Sequence, residues 1–181
     1  ASVQNAGTPG HANKVWKRYV EKSALSLDGA EHIWSFEKKY RALTNQHRTL
    51  KVAKAFCEKN GNSAYFPYLN GQTWAEKLGE QIQNGQVPAM ALKEAMGQIY
   101  DISPEYRSAF SETEEFDEVF GVRLTDEEKG VLASDTACKV SNIDALFENM
   151  LLTKNGIFCL DYEWVFLFPV PEHFVKYRIL Y

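Results

Sequence analysis

Residues 142–164 read NIDALFENMLLTKNGIFCLDYEW, and the reading of this stretch decides the fold. Two apolar β-type runs, MLLT and GIFCLDY, are separated by Lys154-Asn155-Gly156. Asn-Gly between such runs is the strongest short hairpin signal, because the turn needs residues that accept positive φ. Asp144 and Asn149 stand ahead of the hairpin in the spacing D-x-x-x-x-N, and Asp161 closes its second strand. Taken alone, Asp144 and Asn149 could cap a helix and a turn. The three features together are more specific.

Phosphoryl transfer requires few side chains. One carboxylate accepts or orients the attacking hydroxyl, an amide and a second carboxylate hold magnesium, and a lysine neutralises phosphate oxygens. Magnesium takes hard oxygen ligands, so Asn plus Asp suits it. The stretch therefore offers Asp144 as a candidate base and Asn149 with Asp161 as candidate metal ligands.

IDALFENMLLTKNGIFCLDYE resembles the catalytic-loop and metal-loop region of kinase-like phosphotransferases. The resemblance implies an α+β, two-lobed protein-kinase-like fold, with a small β-rich N-lobe over residues 1–69 and a mainly helical C-lobe carrying the hairpin over 70–181. It implies ATP and Mg2+ as cofactors. Upstream features fall in the order it implies. Lys17 lies in a V-x-K pattern on a β-prone segment, 14–20, and matches the phosphate-binding lysine. A helix opening at Asp28 and running to about Asn45 follows, where Glu37 could pair with Lys17, with His32 and Glu31 as rivals. Phe66-Pro67-Tyr68-Leu69 matches the hinge between lobes, where the Pro67 carbonyl could accept from the adenine amine and the Leu69 N–H could donate to the ring. The chain departs from protein kinases at Asn142-Ile143, where His-Arg is usual, and at Tyr162-Glu163, where Phe-Gly is usual. Aminoglycoside and choline phosphotransferases vary in this way. No Gly-rich phosphate loop precedes Lys17, since only Gly7 and Gly10 are available, which raises the alternative of a pseudokinase. The tail after Asp161 is too short for the helices that usually complete the C-lobe, as in a truncated domain.

LDYEWVFLFPVPEHFVKYRILY, at 160–181, is similar to kinase-like modules attached to bacterial glycosyltransferases and methyltransferases of surface-polysaccharide assembly. That resemblance implies a sugar or glycan acceptor and a fused or associated transferase as partner. The plainer reading of its aromatic residues is core packing, and Glu163 reads either as a metal or substrate contact or as a buried hydrogen-bonded acid.

Outside these segments the pattern is ordinary. Residues 1–13 read as a flexible arm. Leu50–Phe56 and Ser63–Leu69 read as two strands joined at Asn60-Gly61, the second demoted to an edge by Pro67. Thr73-Trp74-Ala75-Glu76 is a capping box, so a helix starts at Trp74 and buries Trp74, Leu78 and Ile82. Residues 84–140 read as mainly helical, and Thr125-Asp126-Glu127-Glu128 offers another cap. The acid-rich run at 112–118 alternates with Phe110, Phe116 and Phe120, which reads as a solvated amphipathic helix and not a metal cluster.

With 45% hydrophobic and 13% aromatic residues the 181-residue chain can build a real core. A net charge of −4 gives no general attraction for nucleic acid or anionic membrane, so neither is an expected partner. No apolar run is long enough to span a bilayer. Cys57, Cys138 and Cys159 form no CxxC pair and read as reduced core thiols of a cytoplasmic protein. Three functions compete: a phosphotransferase, a pseudokinase that positions a neighbouring transferase, and a helical interaction domain without a nucleotide site.

Overall fold

The computed structural model describes residues 2–5, 18–58 and 62–181 of the chain, which is of the α+β class. Strand β1 (Ser2–Asn5) lies where a flexible arm was expected and pairs antiparallel with β2 (Arg18–Ser23), with Ser2 opposite Glu21. Of the expected strand at 14–20, residues 14–17 lie outside the described residues, and the described strand runs on to Ser23. Helix α1 (Leu27–Gln46) is capped by Ser26, whose Oγ accepts from the Gly29 N–H at 3.2 Å. Its buried stripe is Ala30, Ile33, Phe36, Lys39, Leu43 and Gln46. The spacing of three or four residues places them on one face of the helix.

The run expected as one strand at 50–56 splits in two. Strand β3 (Lys51–Val52) and β4 (Phe56–Cys57) flank a non-strand segment and join different sheets. Strand β5 (Ser63–Pro67) lies between β2 and β4 and is not an edge. Pro67 is tolerated because it is the last residue of the strand. The Tyr68 N–H donates to the Arg18 carbonyl at 3.2 Å, which makes Tyr19–Pro67 a non-hydrogen-bonded pair. The missing Pro67 N–H therefore costs the β2 ladder nothing.

Strand β6 (Gln72–Thr73) leads into α2 (Trp74–Gln83) through the expected capping box. The Glu76 N–H donates to Thr73 Oγ1 at 3.1 Å, and the Thr73 N–H donates to Glu76 Oε2 at 2.7 Å. Trp74 is fully buried and Leu78 packs on the core, but Ile82 is 59% exposed, because the last turn of α2 runs off the core. Gly71 is required for a close approach: a Cβ there would sit 2.2 Å from the Leu152 carbonyl oxygen.

The stretch 84–140 is less helical than expected. It contains α3 (Ala89–Ile99), strand β7 (Arg107–Ala109), α4 (Glu114–Phe120), α5 (Asp126–Leu132) and strand β8 (Thr136–Cys138). The acid-rich run forms α4, capped by Thr113, with Phe116 buried in a small second core beside Phe110 and Ala137. Strand β9 (Ser141–Asn142) opens the deciding stretch. Strands β10 (Met150–Thr153) and β11 (Gly156–Cys159) form its hairpin, with Thr153 opposite Gly156 and Gly156 at φ 112°. Strand β12 (Val165–Phe166) pairs with β9, and β13 (Val170–Pro171) pairs with β8 before α6 (Glu172–Leu180).

The hairpin gathers distant segments. β11 pairs parallel with β3, and β10 pairs with β6, which gives a sheet in the order β3-β11-β10-β6. The main core runs through it. Phe36 of α1 meets Phe66 of β5 at 5.3 Å and Tyr162 at 5.6 Å in edge-to-face contacts. The buried Tyr162 hydroxyl donates to the Ala53 carbonyl at 2.7 Å. Among the described residues no helix is long and apolar enough to cross a membrane.

Candidate functional site

The polar residues of the deciding stretch are tied to one another. Asn142 Oδ1 accepts from the Asp144 N–H at 2.9 Å, and Asp144 Oδ2 accepts from the Trp164 N–H at 2.8 Å. Asn149 Nδ2 donates to the Asp144 carbonyl at 2.9 Å, and the Leu160 N–H donates to the Asn149 carbonyl at 2.9 Å. The hairpin thus returns the chain so that 160–164 lies against 142–149. The Asp144 carboxylate caps no helix. It serves the start of β12, and burial is the main cause that pushes its carboxyl above the ordinary range, with the Trp164 N–H opposing and the charges of Asp161 and Glu163 adding.

The lysine expected as the phosphate clamp, Lys17, lies outside the described residues. The structure instead puts Lys22 of β2 at this centre. Lys22 Nζ donates to Asp161 Oδ1 at 2.6 Å and to Glu163 Oε1. The sequence carried a signal for it, since Val20-Glu21-Lys22 repeats the V-x-K pattern five residues on. The polar run Glu21-Lys22-Ser23 looks like a loop, which hides the end of the strand.

Helix α1 brings an ammonium group and an imidazole. Lys39 Nζ donates to the Glu163 carbonyl at 2.5 Å, and His32 Nε2 lies 4.0 Å from Glu163 Oε2. Burial would raise the Glu163 carboxyl, but the Lys22 hydrogen bond and charge, helped by His32 and Lys39, outweigh it and hold the group below its usual value. Burial lowers the Lys39 ammonium, and burial with the Lys39 charge lowers His32. Glu37 points elsewhere. Its carboxylate accepts from the Cys57 N–H at 3.4 Å and lies 3.6 Å from Arg41, in a separate groove beside β4.

A cavity of about 250 Å3 lies against this centre. Val20, Ala53, Phe66 and Leu160 give it apolar walls; Lys22, Asn149 and Asp161 give it polar ones. Its rim is Pro67-Tyr68-Leu69, the segment expected as a hinge. Because Tyr19–Pro67 is a non-hydrogen-bonded pair, the Pro67 carbonyl points away from β2. β4 pairs only with Ala64 and Tyr65, so no strand covers that side of Pro67. The Tyr68 N–H is used by Arg18, whose guanidinium stacks on the Tyr68 ring at 4.0 Å. The Leu69 N–H has no hydrogen-bond partner among the described residues. One carbonyl and one N–H of this rim are thus available to a flat polar ligand.

Among the described residues no group of three or more His, Cys, Asp or Glu side chains is set to hold a metal alone. The donor set still fits magnesium. Asn149 spends its Nδ2 on Asp144 and keeps its amide oxygen, and the Asp161 carboxylate lines the same cavity. A hard cation bound through few protein oxygens, with the rest from phosphate or water, is how magnesium usually sits.

Of the expected site residues, Asp144, Asn149 and Asp161 stand together, Pro67 and Leu69 line the same cavity, Glu37 is apart, and Lys22, Lys39 and Glu163 join the centre. A scan against protein-family models finds none that matches this chain, and a search of curated proteins finds no match either.

Proposed function

We propose that the chain is a two-lobed, kinase-like ATP- and magnesium-binding domain that transfers phosphoryl to a hydroxyl of a sugar or glycan, working in the cytoplasm beside a surface-polysaccharide glycosyltransferase or methyltransferase. One observation carries this reading: Lys22, Asn149 and Asp161, far apart in sequence, line one apolar-walled cavity whose rim offers an unused N–H. Apolar walls suit a base, the rim suits its edge, and the polar end suits phosphates. The sugar acceptor and the neighbouring transferase rest on the likeness of 160–181 alone.

Each residue then has a task. Lys22 has three donors, of which Asp161 and Glu163 take two, so one remains for a phosphate oxygen. Asn149 and Asp161 would hold magnesium, which supplies charge neutralisation for the phosphates. Asp144 keeps Oδ1 free of the Trp164 bond and accepts the proton of the attacking hydroxyl. The hydroxyl oxygen bonds to the γ-phosphorus, the bond from that phosphorus to the bridging oxygen breaks, and ADP leaves with the electron pair.

Thermal unfolding with ATP and magnesium tests the reading. A ligand at a hundred times its dissociation constant stabilises by about 2.7 kcal/mol, several degrees for a chain of this size. Asp161→Ala is expected to abolish the magnesium-dependent part of that shift; an unchanged shift would remove Asp161 from metal binding. A native chain that gains nothing from ATP and magnesium sinks the nucleotide site itself. A second reading, a nucleotide-binding module without turnover, is favoured by the connection between β1 and β2, where only Gly7 and Gly10 could form a phosphate-cradling loop. It predicts binding with no ADP produced.

A further inference from the structure

Two ammonium groups and an imidazole, from two elements, converge on one residue, Glu163. Lys22 reaches its Oε1 from β2, His32 stands 4.0 Å from its Oε2 from α1, and Lys39 donates to its backbone carbonyl at 2.5 Å. No carboxylate of α1 reaches Lys22 among the described residues, since Glu37 is engaged by Cys57 and Arg41. We infer that Glu163 is the positioning residue for Lys22: it holds the ammonium group at the polar end of the cavity and links it to α1. This rests on the cavity being a nucleotide site.

The physical case is one of holding a flexible cation. A lysine has a four-carbon stem and loses most of its rotamer freedom when fixed. Fixing it beforehand spares the ligand that cost. Asp161 alone is a poor holder, because its oxygens are the ones a metal would claim. Glu163 is better anchored. Lys39, itself buried, clamps its carbonyl, and the next residue, Trp164, is fixed through both its N–H and its carbonyl to the 143–144 backbone and side chain. The ammonium groups of Lys22 and Lys39 balance the carboxylates of Asp161 and Glu163 at this end of the cavity. A shift of α1 would pull on Glu163 and through it on Lys22.

Two rivals make different demands. If Glu163 were a metal ligand, its loss would weaken ATP only when magnesium is present. If it merely stapled α1 to the 160–164 segment, its loss would weaken every ligand of the cavity alike. Titration calorimetry on the full chain, with ATP plus magnesium, ATP plus EDTA, and adenosine, separates them. The variants are Glu163→Ala, Glu163→Asp, Lys22→Met and the Glu163→Ala/Lys22→Met double. Glu163→Ala is expected to lose tenfold or more in ATP affinity with and without magnesium, and to bind adenosine within twofold of the native chain. Glu163→Asp should recover part of the loss. The double variant should be no weaker than Lys22→Met, because two residues acting through one contact do not add. Where the alanine variant does not fold, the isosteric Glu163→Gln carries the same expectation at a smaller size. The inference is overturned if ATP binds the Glu163 variants as well as the native chain, if adenosine and ATP fall together, or if the two losses add in full. A native chain that binds neither ATP nor adenosine removes the inference together with the reading beneath it.

Discussion

Two regions of the molecule bring acidic groups against cations, and they are built for different ends. Around α4 and α5, Glu112 pairs with Lys129 at 2.8 Å and Asp117 with Arg123 at 3.3 Å, and Glu114 and Glu115 stand in the first turn of α4. The Glu112 carboxylate also accepts from the Leu124 N–H at 2.6 Å, so it pins a loop. The Lys129 hydrogen bond is the main cause that holds Glu112 below its ordinary range, and the pair lines a groove of about 300 Å3 with Phe110, Ser111 and Ala133, where no other charged side chain joins it. Around Glu163 it is the cations that are buried, with the Lys22 side chain 15% exposed against 44% for Lys129; the groups come from β2, α1 and the 144–163 segment, and three residues of the centre line a cavity with apolar walls. The richer acidic run in the sequence is a solvated helix; the sparser one is the candidate site. Burial and convergence make a site, and the number of charges does not.

If burial is what separates the two regions, the largest pH effect on stability should come from a buried base outside both. His47 is such a group: burial is the main cause that lowers its imidazole to about 4, against an ordinary 6.5, with Asp101 opposing. A base with a depressed value folds in its neutral form, so the unfolded chain binds the extra proton between pH 6.5 and about 4. Stability is therefore fully present above pH 6.5 and falls as pH drops through that window, by about 3 kcal/mol. Urea unfolding at pH 7 and pH 4 measures the drop, and His47→Gln should flatten it. A flat profile in the native chain would mean that His47 opens to water at little cost.

Next in size is the contrast between lysines. Lys22→Met should weaken ATP binding by about 10- to 100-fold, the worth of one or two charged hydrogen bonds at about 1.5–3 kcal/mol. Lys129→Met should leave ATP binding unchanged. Equal losses in a binding titration would erase the distinction drawn here. A smaller effect concerns Asp144. A carboxyl raised on folding favours the fold at low pH and costs stability once it ionises. Asp144→Asn, which can still accept from the Trp164 N–H, should raise the melting midpoint at pH 7 slightly while removing turnover. That gain should vanish below about pH 4, where the unfolded carboxyl is itself protonated. The smallest expected effect is on the surface: Lys129→Met should not move the melting midpoint measurably, because an exposed pair gains little over its hydrated partners.

Features that depend on local chemistry were legible in the sequence. The Thr73 and Thr125 caps, the span of α1, the hairpin and the solvated acidic helix all follow from a few neighbouring residues, although the two-residue turn falls on Lys154-Asn155 and Gly156 already belongs to β11. So did the gathering of Asp144, Asn149 and Asp161, because a two-residue hairpin leaves the flanking segments side by side. What failed depended on distant partners. The split of 50–57 into β3 and β4 is set by which sheet each half joins, and nothing local in LKVAKAFC states that β3 will meet β11. Lys22 was passed over because its strand carries polar residues on both faces, and these are accommodated only once Asp161 and Glu163 arrive. Residues 84–140 looked helical because β7 and β8 are three residues each, too short for an alternating pattern to show.

The parallel pairing of β3 with β11 and the bond from Tyr162 to Ala53, 109 residues apart, have a consequence for synthesis. Leu160 and Asp161, which wall and charge the cavity, arrive only after most of the chain. A ribosome that has delivered β2, α1 and β5 has made Phe36 and Phe66 without the Tyr162 ring that covers them. The nascent segment therefore carries an uncovered aromatic surface until the hairpin emerges, and the cavity closes in one late step. A ligand of the cavity added during translation would find nothing to bind until that step is complete.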